Sequence, residues 1–168
     1  MMMFRIDARA VIGDVNDSRT GYIINEAFQG PFQGPDTGGG IGQAVSTMMS
    51  ELAHRGPDDA GTWHDAEAGV GLAHRRLSII DLSEAGAQPM VSASGRYVLS
   101  FNGEVYNFVR LKKQLEVSKY PFRGHSDTEV ILAAVEHLGV DKAVSKLEGM
   151  FALAIWDRET RCLSLARD

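Results

Sequence analysis

The chain has 168 residues, 44% hydrophobic and 23% charged, the balance of an ordinary soluble globular protein long enough to bury a substantial core. A net charge of −5 without a basic block excludes nucleic acid and anionic membrane as electrostatic partners, and no apolar run approaches a membrane span. The single cysteine, Cys162, excludes an intrachain disulfide and suits a reducing cytoplasm, while Arg5 and Asp7 stand where a secretory signal needs an apolar core.

Residues 1–40 show no sustained period. They contain the near-duplicate Phe28-Gln29-Gly30-Pro31 and Phe32-Gln33-Gly34-Pro35, then a glycine-rich run to Gly40 that suits a flexible linker. Only Gly21–Ile24 reads as a short strand. From Gly42 the pattern sharpens: Val45, Met48, Met49 and Leu52 recur at helical spacing, predicting a helix over Gly42–His54 that Gly56-Pro57 terminates. Asp58-Asp59 is expected in a turn before Gly61–His64.

Val70–His74 reads as a strand leading into Arg75 and Arg76. Arg75 suits a solvated position; Arg76, beside Leu77 and Ile79, is a candidate for partial burial against a carboxylate, which guanidinium grips in two-pronged fashion. A loop of small residues, Ser83–Ser94, surrounds Gln88-Pro89-Met90. Tyr97–Phe101 is a second strand, and Asn102-Gly103 a turn at its end, since both residues tolerate positive φ. Helical periodicity resumes at Phe108, Leu111 and Leu115, so no hairpin partner follows. This corner therefore gathers the Asn102 amide, the Gly103 N–H and the Glu104 carboxylate, a set able to stabilise an oxyanion and hold a polar substrate.

Tyr120–Arg123 is expected to be a strand. Ser126 and Glu129 form a capping box for the following helix, leaving Asp127 in its first turn with a free carboxylate that can meet an ammonium group. Lys142–Leu147 predicts a short helix. Met150–Trp156, apolar at every position, reads as a strand buried on both faces, and Arg161–Ala166 as its neighbour, with Cys162 an inert strand residue.

The ordered blocks His54–Asp58, His74–Asp81, Phe101–Asn107, Ser126–Glu129 and Leu165–Asp168 closely resemble the N-terminal glutaminase domain of glutamine-hydrolysing asparagine synthetases. This is a class II, Ntn-type glutamine amidotransferase. The resemblance runs from Gly42 to Asp168. It implies an α+β fold, a four-layer αββα sandwich, in residues 41–168, with residues 1–40 as an atypical segment and the C-terminal end truncated. It also implies roles: Asn102 and Gly103 as the oxyanion hole, Arg76 on the glutamine α-carboxylate, and Asp127 and Glu104 on its polar and ammonium groups. Leu77 and Ile79 would line the pocket. L-glutamine is then the ligand. No metal is implied; ATP and magnesium belong to a synthetase domain that would follow Asp168, and that domain or a second copy of the chain is the expected partner.

The resemblance fails at the front. The family begins Met-Cys-Gly-Ile-Ala-Gly, and methionine removal leaves a cysteine whose own α-amine, with a pKa of about 8, serves as base. This chain starts Met1-Met2-Met3, and Tyr22 falls where Gly21–Gly30 can be laid against the family's first strand. The expectation is a domain unable to hydrolyse glutamine by the family's route. Three readings stay open: an inactive enzyme fragment, a glutamine-binding module, or a remnant.

Overall fold

A computed structural model of the chain describes residues 23–27, 40–51, 53–57, 59–76, 86–116 and 120–168. Its strands are β1 Ile23–Ala27, β2 Asp59–Asp65, β3 Val70–Arg76, β4 Met90–Val91, β5 Tyr97–Val105, β6 Gly149–Asp157 and β7 Cys162–Arg167. Its helices are α1 Gly40–Glu51, α2 Phe108–Glu116, α3 Asp127–Leu138 and α4 Val140–Val144, with a 3₁₀ turn at Ala53–Arg55. All pairing is antiparallel: one sheet runs β1-β7-β6-β5-β4, and β2 pairs with β3 in a second.

Side-chain alternation along β5 and β6 explains the layering. Tyr97, Leu99, Phe101, Phe151, Leu153 and Ile155 turn one way and bury against Leu111 and Leu115 of α2, the apolar residues of α3, and α4. Val98, Ala154 and Trp156 turn the other way and meet Val70 and Leu72 of β3 and Ala68 just before it. The outer face of the small sheet is covered in turn by α1, because Gly71 of β3 carries no side chain. A Cβ there would strike Val45 of α1 and sit 3.3 Å from Ile41. The order helices, sheet, sheet, helix is the αββα sandwich that the resemblance implied.

Several local expectations change. β5 does not end at Phe101; it continues through Asn102-Gly103 to Val105, opposite Gly149 of β6. Nine residues of continuous pairing with β6 outweigh the local preference of Asn-Gly for a turn. The chain turns instead at Tyr106-Asn107, where buried Asn107 donates to the Lys146 carbonyl (2.8 Å) and accepts from Glu148 N–H (3.2 Å). Tyr120–Arg123 is not a strand. Both oxygens of the Glu129 carboxylate accept backbone N–H groups there, from Arg123 at 2.7 Å and Gly124 at 2.9 Å. The capping box is thus half present: Ser126 Oγ accepts the Glu129 N–H, while the glutamate side chain reaches further back than its own cap. Asp59 belongs to β2, and the short helix starts at Val140 and stops at Val144.

At the far end of the large sheet, Arg96 grips Asp157 with Nε and Nη2 (3.0 and 2.7 Å), and the same carboxylate accepts the Glu159 and Thr160 N–H groups. Burial alone would raise the Asp157 pKa, but these donors outweigh it and hold the carboxyl below its ordinary value. A depressed pKa in the fold means stability present at neutral pH and lost as pH falls through the folded value. Asp157→Asn is expected to cost about 2 kcal/mol at pH 7. The gap to the parent chain should close below about pH 4, the ordinary carboxylate range. Urea melts between pH 7 and pH 2.5 check this; a gap independent of pH would contradict it.

Candidate functional site

The site is built on the edge of β5 that β4 covers only in part. Alternate residues of an antiparallel strand turn both peptide groups to the same side. On β5 these are Tyr97, Leu99, Phe101, Gly103 and Val105. Tyr97 bonds to Ser92 through backbone and hydroxyl, at 2.9 and 3.1 Å, and Leu99 lies opposite Met90 of β4. β4 then stops, and side chains take over. The Phe101 N–H donates to Gln88 Oε1 at 2.6 Å, and the His74 imidazole lies beside the Phe101 backbone. Val105 N–H donates to Asp127 Oδ2 at 3.2 Å. Between these two occupied positions Gly103 is exposed, and the strand alternation turns its N–H to the same edge.

Only glycine can stand there. Its φ is +140°, and a Cβ would run into the Met150 carbonyl oxygen and lie 2.6 Å from the Phe151 Cα, where β6 crosses close behind. Asn102 and Glu104, on the opposite face of β5 from Gly103, share the side of Val98 and point toward the space between the sheets, both exposed at its end. Arg76, half-buried on the last residue of β3, shares the side of Val70 and Leu72 and faces the same space. The two strands advance in step, since Ser100 Oγ donates to the Ala73 carbonyl (3.4 Å) and His74 meets Phe101. The Arg76 guanidinium lies against Gly86, where an added Cβ would be 3.3 Å from Nη2.

Asp127 differs from expectation. Its carboxylate is not free: Oδ1 accepts the Thr128 N–H at 2.8 Å and Oδ2 the Val105 N–H, so it fastens the start of α3 to the end of β5. Oδ1 also accepts the Thr128 hydroxyl at 3.5 Å, while Oδ2 keeps a second lone pair that can still accept from a ligand ammonium. Leu77 and Ile79 lie outside the described residues. Thus Arg76, Asn102, Gly103, Glu104 and Asp127 belong to one end of the molecule.

Cys162 does not. It pairs with Asp157, which pairs with Tyr97, six residues before Gly103 and so about 20 Å along the strand. Burial chiefly raises its thiol pKa, which keeps thiolate scarce at neutral pH. Sequence reasoning gave no role to His74 or Gln88. The only available signal was parity, His74 falling two residues after Leu72 on the inner side of its strand.

The family model for a glutamine amidotransferase domain matches residues 32–168. Asparagine synthetase [glutamine-hydrolyzing] 1 of Bacillus subtilis is 44% identical over 126 residues, 75% of this chain and 19% of that protein. Amidase chry2 of Gibberella zeae is 41% identical over 126 residues, covering 75% and 18% respectively. The chain therefore spans about a fifth of the length of the curated relatives it matches. Among solved structures, glutamine phosphoribosylpyrophosphate amidotransferase of B. subtilis aligns with a TM-score of 0.47 at 21% identity, over 60% of this chain and 28% of that one.

Proposed function

This chain belongs to the glutamine amidotransferase domain family, with asparagine synthetase-like relatives, and from that membership we propose that its β5 edge is an L-glutamine-binding site. The observation that carries the proposal is exposed Gly103, its N–H turned to the strand edge between two positions that are already bonded. It suits an amide carbonyl oxygen, with the Asn102 carboxamide as a second donor beside it. Arg76 supplies a cation for the ligand's α-carboxylate, and Glu104 and Asp127 supply carboxylates for its ammonium. One cation and two carboxylates around a hydrogen-bond donor match the charges of a free amino acid with an amide side chain.

Chemically, a Gly103–Asn102 donor pair stabilises charge on a carbonyl oxygen under attack, and it acts only if a nucleophile arrives. The chain's one thiol is at the opposite end of the sheet, so we expect binding without turnover. The binding step needs only this chain's residues. ATP and magnesium are assigned to a separate synthetase domain, which is the proposed partner.

Calorimetric titration with L-glutamine tests the reading, with L-glutamate and D-glutamine as comparisons. Saturable heat for L-glutamine is expected, weakened about 30-fold or more in Arg76→Ala, the loss of one charged hydrogen-bonded contact. Glu104→Gln is the companion variant, because Asp127→Ala would also release Val105. Absence of saturable heat in the parent chain, or equal binding of all three ligands, would overturn the proposal. Steady heat of turnover would overturn its second half.

A further inference from the structure

We propose that His74 and Gln88 are positioning residues that set the Gly103 N–H by holding the Phe101 peptide groups where a strand would otherwise have held them. β4 ends after two residues. Its two residues pair with Val98 and Leu99, and continued pairing would place the backbone of residue 88 opposite Phe101. The backbone does not pair there; the Gln88 side-chain oxygen takes the Phe101 N–H at 2.6 Å, and the His74 ring lies beside the same backbone.

This substitution has a consequence for the next edge position. A full β4 extended past Gln88 would also have covered the Gly103 N–H, the very group the proposed ligand needs. Side-chain partners satisfy Phe101 without carrying a strand forward, so the edge is closed at Phe101, open at Gly103, and closed again at Val105 by Asp127. Gln88, ahead of β4, holds the backbone N–H two residues before the open donor, and His74 of β3 lies against the same stretch. Because Gly103 has φ +140° and no side chain of its own to anchor it, its direction depends on such neighbours.

His74 suits the part. It stands on the inner side of β3, and burial chiefly lowers its pKa, with the Arg76 cation adding to that, while the Phe101 backbone and Asp59 pull the other way. Its ring is therefore neutral at physiological pH, with one N–H to give and no charge to compete with the carboxylate of a ligand at Arg76. Gln88 supplies an acceptor without charge, and Gly61 of β2 lies against its backbone: a Cβ there would strike the Gln88 carbonyl.

The proposal rests on the glutamine reading only for its effect on affinity; the effect on the Gly103 amide is read without ligand. The experiment is amide NMR and L-glutamine titration of the full chain, with Gln88→Ala, Gln88→Glu and His74→Leu. Gln88→Ala is expected to move the Gly103 amide resonance, to speed Phe101 hydrogen exchange about tenfold and to weaken L-glutamine about tenfold. Gln88→Glu, which keeps the acceptor oxygen, should restore all three. His74→Leu should shift the Phe101 carbonyl carbon and the Gly103 amide together. If Gln88→Ala leaves the Gly103 resonance in place, or Gln88→Glu fails to restore it, the positioning role is wrong. If the parent chain shows no glutamine binding but these resonances respond as stated, the glutamine reading fails and the positioning of the N–H stands.

Discussion

Gly103→Ala is expected to lower the melting temperature by roughly 6–12 °C, the effect of about 3 kcal/mol in a domain of this size, and to abolish L-glutamine binding in whatever fraction remains folded. Two costs combine. A side chain at φ +140° is strained whatever the space around it, as the left-handed conformation costs about 1–2 kcal/mol for an L-residue. The added methyl also meets the Met150 carbonyl oxygen and the Phe151 Cα, which are backbone atoms and cannot rotate away. Relief requires β5 and β6 to separate, and forced separation of packed elements typically costs about 1–3 kcal/mol. Gly95→Ala separates the two contributions, because Gly95 also has positive φ (+78°) but a Cβ there meets nothing within 4 Å. It should cost only about 1 kcal/mol. Equal losses at the two glycines in parallel thermal melts would show that the approach of β6 is not what requires glycine at 103.

The same corner marks how far the sequence could be read. Its residues were legible as neighbours, since Asn102, Glu104 and Arg76 face one end of the inter-sheet space and Gly103 lies on the strand edge beside them. Its geometry was not. Asn-Gly signals a turn locally, and the strand continues only because β6, far along the chain, supplies partners as far as Gly149. The central strand itself was readable for the opposite reason: an unbroken apolar run declares burial on both faces without reference to any partner, and this holds from Leu153 to Trp156 while Met150, at the start of the run, is exposed. Asp127 and Glu129 show the boundary between the two cases. Both were placed correctly in the first turn of α3, but the groups their carboxylates reach, Val105 N–H and the Arg123 and Gly124 N–H groups, are set by tertiary approach. Gln88 lay beyond reach, because its bond to Phe101 exists only where β4 stops, and His74 offered no more than its parity on β3.

Trp156→Ala should be the costliest single truncation, about 3–5 kcal/mol, and it should also reach the site at a distance. The Trp156 side chain is fully buried on the face of β6 that meets the small sheet, packed with Val98, Leu163, Val70 and Leu72. It helps set the spacing between β5, which carries Asn102, and β3, which carries Arg76. A cavity there is relieved by the sheets drawing together, since packed surfaces lose dispersion contacts across even a small gap. Arg76 then shifts relative to Asn102 and Gly103. Leu115→Ala provides the contrast, being a buried truncation of about 2–5 kcal/mol in the other layer, between α2 and the opposite face of the large sheet. Both variants should melt at lower urea, but in the cold and fully folded, only Trp156→Ala should bind L-glutamine about tenfold or more weakly, as expected when a charged contact of about 1.4 kcal/mol is displaced. Equal affinity in the two would mean that the inter-sheet core stabilises the fold without setting the distance between the cation and the oxyanion donors, and that Arg76 is placed by its own strand alone.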